Sequence, residues 1–282
     1  FREDLASDRA TGRETRQTQI LVNSLAVLLH NAERVDEAEA LYREALEIGV
    51  RVLGPDSPDT LVAKMNLGAM LNARGEKDEA SAIMEVCYAG IKRVFGETHP
   101  KTADAAWSLA CLRYDQGRFN DAAPLFDECV KIRRRVEGDG TAKTASTIQR
   151  LASVLKRLGD YDRAATLEIE ALDVFTALEG PDAPNVLDAR LRLANTLAPA
   201  RRYDEAETHF RDLLERCPRV LGEGHQTTVI ANNSFGVLLM GRERYAEAEP
   251  FVRKALERGR AAQGPDNPDT LATQHNLGCI LR

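Results

Sequence analysis

The sequence predicts an all-α, right-handed superhelical solenoid of antiparallel helix hairpins, and three observations lead to this fold class. Glycines at residues 12, 54, 96, 138, 180, 222 and 264 show that the 282-residue sequence repeats every 42 residues without slippage. Each repeat contains two segments with apolar residues at helical spacing. A large residue followed by a small one recurs at one fixed position of the first segment. Such a fixed period is typical of solenoids, in which each repeat packs against its neighbours.

The repeat boundaries follow from the register of the glycines. We expect one elongated domain over residues 1–282, with six full repeats at 12–53, 54–95, 96–137, 138–179, 180–221 and 222–263. A partial seventh repeat at 264–282 contains one helix, which favours an array cut short. Because Phe1 is not an initiator methionine, we expect a segment of a longer protein.

A seven-residue segment at the start of each repeat supplies this register. It reads Gly-Pro-Asp-Ser-Pro-Asp-Thr at residues 54–60 and Gly-Pro-Asp-Asn-Pro-Asp-Thr at residues 264–270. Ser57 is predicted to cap the first helix of its repeat, called helix A, and Pro58 to occupy the first helical position, where its missing N–H costs nothing. We therefore interpret the segment as a spacer between hairpins.

The second helix of each repeat, called helix B, follows a short turn. The turn position is glycine in three repeats and charged in three others: Gly75, Gly117, Gly159, then Glu33, Arg201 and Glu243. The predicted N-caps of helix B are Asp36, Asp78, Asn120, Asp162 and Asp204. Ala246 occupies the cap position in the sixth repeat, so we expect its helix B to fray at the start.

The helices of each hairpin are predicted to cross at a pair of small residues. On helix A a small residue follows a large one, as in Leu67-Gly68, because a bulky side chain at the crossing would hold the helices apart. On helix B the small residue is always alanine: Ala38, Ala80, Ala122, Ala164, Ala206 and Ala248. This pattern resembles the tetratricopeptide repeat, and the 42-residue step with its Gly-Pro-Asp loop resembles the kinesin-light-chain type. The resemblance covers nearly the whole chain and implies a protein-binding scaffold.

The fifth repeat departs from the pattern. Pro199 lies at the end of its helix A and Pro218 lies late in its helix B, where each is predicted to shorten or bend the helix. His209 occupies a position that is apolar in other repeats. We expect a local change of curvature there.

Composition excludes several classes of function. The net charge of −6 provides no basic excess to neutralise phosphates, which argues against nucleic-acid binding. The 5 cysteines are widely spaced and contain no CxxC motif, which favours a reducing compartment over a disulfide framework or zinc site. No apolar run is long enough for a membrane helix. We therefore expect a cytoplasmic protein with no membrane partner.

Catalytic signatures are not found in the sequence. No HExxH, GxSxG or phosphate-binding loop is present, and His99 and His225 fall at the capping position of Ser57. His209 is interpreted as a packed or half-exposed side chain. We expect no enzyme activity, no catalytic or metal site and no cofactor.

A peptide-binding groove is predicted along the A helices. In helical-hairpin arrays of this type the A helices line the concave side, where this sequence places polar residues instead of apolar ones. Amides carry both a donor and an acceptor and can hydrogen-bond an extended peptide backbone. The candidate groove residues are Asn66, Trp107, Tyr114, Gln149, Arg150, Lys156, Arg192, Asn195, Asn233 and Asn276.

The basic residues of this set indicate the chemistry of a ligand. Arg150, Lys156 and Arg192 would form a basic floor, with Trp107 and Tyr114 one repeat earlier, suited to an extended acidic segment with an aromatic residue. The kinesin-light-chain resemblance implies the same ligand class, since that family's repeats hold acidic peptides containing tryptophan. Alternatively, Trp107 packs internally and the basic side chains pair with nearby carboxylates.

A second function from another class stays open. Similar arrays form ligand-sensing or autoinhibitory regions of signalling NTPases, or regulatory arms of proteases. Homo-oligomerisation through the exposed last helix is also possible.

Overall fold

The computed structural model describes residues 14–282. Within these residues all regular secondary structure is α-helical, in thirteen helices. The chain divides into two compact units, Phe1–Gly138 and Asp139–Arg282, which are described separately. Gly12, the start of the first repeat, lies outside the described residues.

The first unit contains three helix hairpins, each made of a helix A followed by a helix B. Its helices are α1 (Arg16–Asn31), α2 (Val35–Leu53), α3 (Pro58–Arg74), α4 (Lys77–Phe95), α5 (Pro100–Asp115) and α6 (Phe119–Glu137).

The second unit contains three further hairpins and a single last helix. Its helices are α7 (Ala142–Arg157), α8 (Tyr161–Glu179), α9 (Pro184–Leu197), α10 (Tyr203–Val220), α11 (Gln226–Gly241), α12 (Tyr245–Gln263) and α13 (Pro268–Ile280). The predicted all-α array of hairpins is thereby confirmed, whereas its continuity as one domain stays a prediction.

Small residues allow the two helices of each hairpin to pack closely. The six helix B alanines are all fully buried. A Cβ atom added to Gly68 on α3 would lie 2.6 Å from Met84 Cγ, and one on Gly236 of α11 would lie 2.2 Å from Val252 Cγ2. Because neither distance leaves room for a side chain, the small residue on helix A is a packing requirement.

Side chains cap most A helices as predicted. Ser57 Oγ accepts a hydrogen bond from the Thr60 backbone N–H at 3.2 Å. The histidines act in the same way through Nδ1: His99 accepts from the Lys101 N–H at 3.1 Å, and His225 accepts from the Thr227 N–H at 3.2 Å. Both histidines are therefore structural, as the sequence indicated.

The prediction for the start of the B helices is wrong. These helices begin one residue before the acidic position, so Asp78 lies in the first turn of α4, which begins at Lys77. An acidic side chain there still stabilises the helix through its dipole. Ala246 likewise lies inside α12, which begins at Tyr245, the same repeat position as in the other B helices, and the expected fraying stays a prediction.

The prolines of the fifth repeat have unequal effects. Helix α9 ends at Leu197 and has 14 residues, whereas the A helices α1, α3, α5, α7 and α11 have 16 or 17. Pro199 therefore shortens helix A, as predicted. Pro218 is accommodated inside α10, which continues to Val220 and has 18 residues instead of the usual 19. The change of curvature stays a prediction.

Glycine is required at the start of each loop between repeats. Gly54, Gly96, Gly138, Gly180 and Gly264 have φ between 85° and 93° and ψ between 159° and 166°. Residues with a Cβ atom essentially never adopt this conformation. Because a Cβ there would meet no atom within 4 Å, the requirement comes from the backbone alone.

The turn between helix A and helix B imposes a milder strain. Glu33, Arg201 and Glu243 have φ of 60°, 60° and 61°, which places them in the left-handed region together with Gly75 and its equivalents. A residue with a Cβ atom pays a conformational penalty there that glycine does not. Three of the six hairpins therefore contain a strained turn.

We expect Gly180→Ala to lower the free energy of unfolding by about 1–3 kcal/mol, because alanine cannot adopt the loop conformation without strain. Urea denaturation followed by circular dichroism measures the change. Gly140→Ala is the matched control, since Gly140 lies in the same unit, has an ordinary φ and leaves its Cβ position open. Equal effects of the two substitutions would contradict the backbone argument.

We expect Glu243→Gly to raise the free energy of unfolding by about 0.5–1 kcal/mol, because it relieves the left-handed turn. The matched control is Glu257→Gly, at an exposed position inside α12, which should lower stability by about 1 kcal/mol. Thermal unfolding of both variants gives the comparison. A lower stability for Glu243→Gly would show that the Glu243 side chain stabilises the fold by more than its left-handed conformation costs.

Candidate functional site

Asparagine side chains link consecutive A helices. In the first unit, Asn66 Nδ2 on α3 donates to Asn23 Oδ1 on α1 at 3.1 Å. In the second unit, Asn276 Nδ2 on α13 donates to Asn233 Oδ1 on α11, also at 3.1 Å. Each amide uses one of its hydrogen-bonding positions in this pair and keeps others. Three of the candidate groove residues thus belong to amide pairs on the A helices.

The two aromatic candidates lie in the first unit and pack within their own hairpin. Trp107 contacts Phe126 edge-on, with ring centroids 5.3 Å apart, and the Arg133 guanidinium lies 5.0 Å from the Trp107 ring. Tyr114 makes a similar contact with Phe119 at 5.3 Å. Trp107 therefore packs on helix B of its own repeat.

Lys156, in the second unit, forms a structural ion pair. Its Nζ lies 2.8 Å from Glu168 Oε1 across the α7–α8 hairpin, and the Glu168 side chain is only 2% exposed. The other carboxylate oxygen, Oε2, is buried and has no hydrogen-bond partner among the described residues. Since loss of Lys156 would leave a buried carboxylate uncompensated, we assign this lysine to folding.

The side chains of Arg150 and Arg192 are both exposed and form no ion pair or hydrogen bond with the described residues. Within the predicted basic floor, Lys156 is already paired, and these two arginines are the residues whose charged groups have no partner among the described residues.

Three adjoining depressions in the second unit share lining residues and are together called here the A-helix groove. The first is lined by Ser146, Gln149, Phe175, Asn185, Asp188, Ala189 and Arg192. The second is lined by Asp188, Leu191, Arg192, Asn195, His225, Gln226, Thr227 and Ile230. The third is lined by Asn195, Ala198, Pro199, Tyr203, Phe210, Ser234, Val237, Leu238 and Gly241.

Shared residues join these depressions. Asp188 and Arg192 line the first and second, and Asn195 lines the second and third. Their volumes are about 250, 370 and 320 Å³. The groove thus passes from the space between α7 and α9 into the furrow between α9 and α11. It contains the predicted residues Gln149, Arg192 and Asn195.

Sequence reasoning missed one groove position. Ser146, Asp188 and Ile230 occupy equivalent positions 42 residues apart and all line the groove, one helical turn before the aligned arginine position. Asp188 Oδ1 accepts a hydrogen bond from Thr227 Oγ1 at 2.7 Å. An alignment of the repeats at the position four residues before the arginines would have identified these three residues.

Burial shifts the pKa values of two cysteines and one histidine. Burial raises the pKa of Cys87 to about 12 and that of Cys217 to about 11, which disfavours the reactive thiolate. Burial lowers the pKa of His209. Over residues 14–282 no group of three or more histidine, cysteine or acidic side chains is arranged to hold a metal ion. None of the helices there has the length and apolar character to cross a membrane.

We expect Lys156→Met to lower the free energy of unfolding on the order of 3 kcal/mol, because it leaves the Glu168 carboxylate buried and unpaired. The double variant Lys156→Met, Glu168→Leu should recover most of this loss. Urea denaturation measures both. Arg150→Met on the same helix is the control and should change stability by less than about 0.5 kcal/mol; an equal loss in the two single variants would refute the structural role.

Comparison with solved structures supports the fold. The Q17M form of the nearly identical TPR-like repeats of a "putative kinesin light chain" from Podosopora anserina superposes with a TM-score of 0.65 at 16% identity, over 72% of this chain and 96% of that chain. YrrB, a TPR protein with an unusual peptide-binding site, gives 0.56 at 17% identity, over 82% and 98%. A signal-transduction ATPase with a tetratricopeptide repeat sensor, from Pyrococcus horikoshii, gives 0.70 at 12% identity, over 94% of this chain and 38% of that chain.

Family models agree with this likeness. No curated protein matches the sequence. A model of the tetratricopeptide repeat matches residues 16–92, 140–219 and 226–282, and a second model of the same repeat matches residues 102–141. Since these matches span well over half of the sequence, the chain belongs to the tetratricopeptide repeat family.

Proposed function

We propose that this chain is a protein-interaction scaffold whose A-helix groove binds an extended, acidic segment of a partner that also bears an aromatic residue. The observation that carries the proposal is that Arg192 lines the groove with its exposed side chain unpaired among the described residues. Arg150, also exposed and unpaired there, lies on α7 next to the lining residue Gln149 and is not itself part of the lining. A guanidinium group suits a carboxylate because it donates two parallel hydrogen bonds. Many other arginines of the described residues pair with carboxylates of the chain itself, as Arg244 does with Glu207 and Glu247.

The remaining lining supports an extended backbone as ligand. Gln149, Asn195 and Gln226 present amides that donate to peptide carbonyls and accept from peptide N–H groups without selecting side chains. Asp188 adds an acceptor for N–H groups. The furrow between α9 and α11 runs from Asp188 to Ala198, roughly 15 Å along the helix, which accommodates about four or five extended residues.

A second candidate function is ligand sensing within a larger regulatory protein. Its support is the likeness to the sensor-bearing ATPase of Pyrococcus horikoshii, which extends over 94% of this chain. The identity of 12% limits that likeness to the fold. In this case the same groove would bind the ligand, and binding would change the activity of an attached NTPase or protease domain.

We expect Arg150→Glu combined with Arg192→Glu to weaken binding of an acidic peptide at least about tenfold, because two attractive charges become repulsive. The probe is a fluorescein-labelled peptide of alternating glutamate and serine, followed by fluorescence anisotropy at several salt concentrations. The wild-type affinity should fall with salt more steeply than that of the variant.

The matched control is Arg135→Glu with Arg258→Glu, which changes the net charge equally at exposed B-helix positions. It should retain most of the binding. An equal loss in the control would attribute binding to overall charge, and unchanged binding in the groove variant would overturn the proposal.

A further inference from the structure

Asp188 lines the A-helix groove with an unpaired negative charge. Its side chain is exposed, borders both the first and the second depression, and forms no ion pair with the described residues. Arg192 lies one helical turn further along α9 and is unpaired as well. This spacing allows an ion pair within a helix, but the structure does not form one. The groove therefore presents one negative and one positive group on the same helix.

An aspartate at the same repeat position shows what is missing at Asp188. Asp104 occupies this position two repeats earlier, in the first unit, and its Oδ1 lies 3.2 Å from Nη2 of Arg133 on helix B of its own repeat. The residue of the fifth repeat that corresponds to Arg133 is Cys217, which is fully buried. Burial and the charge of Asp188 raise the pKa of Cys217 to about 11, so the thiol is neutral. The chain thus supplies a cation to Asp104 and a neutral side chain to Asp188.

Thr227 holds the Asp188 carboxylate toward the furrow between α9 and α11. Its Oγ1, on α11, donates a hydrogen bond to Asp188 Oδ1 at 2.7 Å, and Thr227 itself is only 5% exposed. A hydroxyl partner fixes the carboxylate but does not neutralise it, and the carboxylate keeps acceptor positions for further donors. Asp188 is therefore placed to accept hydrogen bonds from a cationic group of a ligand.

The spacing of the two charges matches one spacing in an extended peptide. Asp188 and Arg192 are four residues apart, so they lie on one face of α9 and are separated by roughly 6 Å along its axis. In an extended peptide, residues two positions apart point to the same face and are separated by about 7 Å. Residues one or three positions apart point to opposite faces. Only alternate residues of the peptide can therefore reach both groups.

We propose that the A-helix groove selects segments in which a basic and an acidic residue are two positions apart, the basic side chain on Asp188 and the acidic one on Arg192. This inference rests on the proposed function and adds a second charge requirement to the ligand. Asp188 is then a specificity-determining residue, because it attracts a lysine or arginine and repels a further carboxylate at that position.

The test uses fluorescein-labelled peptides in which alternating glutamate and serine end at a last glutamate, followed by a serine tail with one lysine one to four positions beyond it. The same set is made in the reverse order. Since the lysine peptides all have one composition, net charge cannot separate them. Fluorescence anisotropy should show that the two-residue spacing, in at least one order, binds about fivefold more tightly than the one- and three-residue spacings.

Substitutions of Asp188 test the same contact from the side of the protein. Asp188→Asn should abolish the gain without weakening binding of the peptide that has serine in place of lysine, because the amide oxygen can still accept from Thr227. Asp173→Asn, at an exposed position of α8, is the matched control and should retain the gain. Asp188→Lys is an independent variant, which should reverse the preference and favour glutamate over lysine two positions beyond the last glutamate.

The outcomes separate this inference from the proposed function. If acidic peptides bind with the same affinity at every lysine spacing, or if Asp188→Asn retains the gain, the inference is overturned and the proposed function stands. If no acidic peptide binds, both are overturned.

Discussion

The structure depends on one backbone constraint, the glycine conformation that begins each loop between repeats. Gly96 and Gly180, one in each unit, show φ of 88° and 85° with ψ near 160°. This conformation turns the chain out of helix B and directs it into the cap of the next helix A. Since essentially only glycine adopts it, each repeat must start with this residue. The regular spacing of the repeats is a consequence of that requirement.

Once the register is fixed, close packing decides which side chains face the core and which face the groove. On α9, Leu193 and Ala194 are fully buried, whereas Arg192 and Asn195 on either side are exposed. The large and small pair faces helix B, where Ala206 leaves room for it. Rotation of the helix by one residue would bury a guanidinium group, so packing also fixes the orientation of the groove residues.

The fifth repeat shows how the fold accommodates a local exception to these rules. Pro199 ends α9 at Leu197 and lies in the wall of the third depression of the groove. The proline costs α9 one helical hydrogen bond, because it has no N–H to donate. The next bonds of the turn still form, since the Ala200 N–H donates to the Thr196 carbonyl at 3.3 Å and the Arg202 N–H donates to the Leu197 carbonyl at 3.0 Å.

Charged side chains in the second unit differ in whether the protein itself supplies a partner. Lys156 and Arg150 lie on the same helix and carry the same charge, but only Lys156 contacts a buried carboxylate, Glu168. The difference arises because α8 packs against one side of α7. Arg150 is exposed, and its side chain has no ion-pair partner among the described residues.

The sequence by itself determined the fold class, the repeat length, the crossing points and the capping roles of His99 and His225. These features depend on backbone conformation and helical periodicity, which are local and recur in every repeat. Tertiary structure alone decided that Lys156 pairs with Glu168, that Trp107 packs on Phe126 and that Asp188 lines the groove. Such pairings depend on distances between side chains on different helices, and these distances exist only after the hairpins have packed.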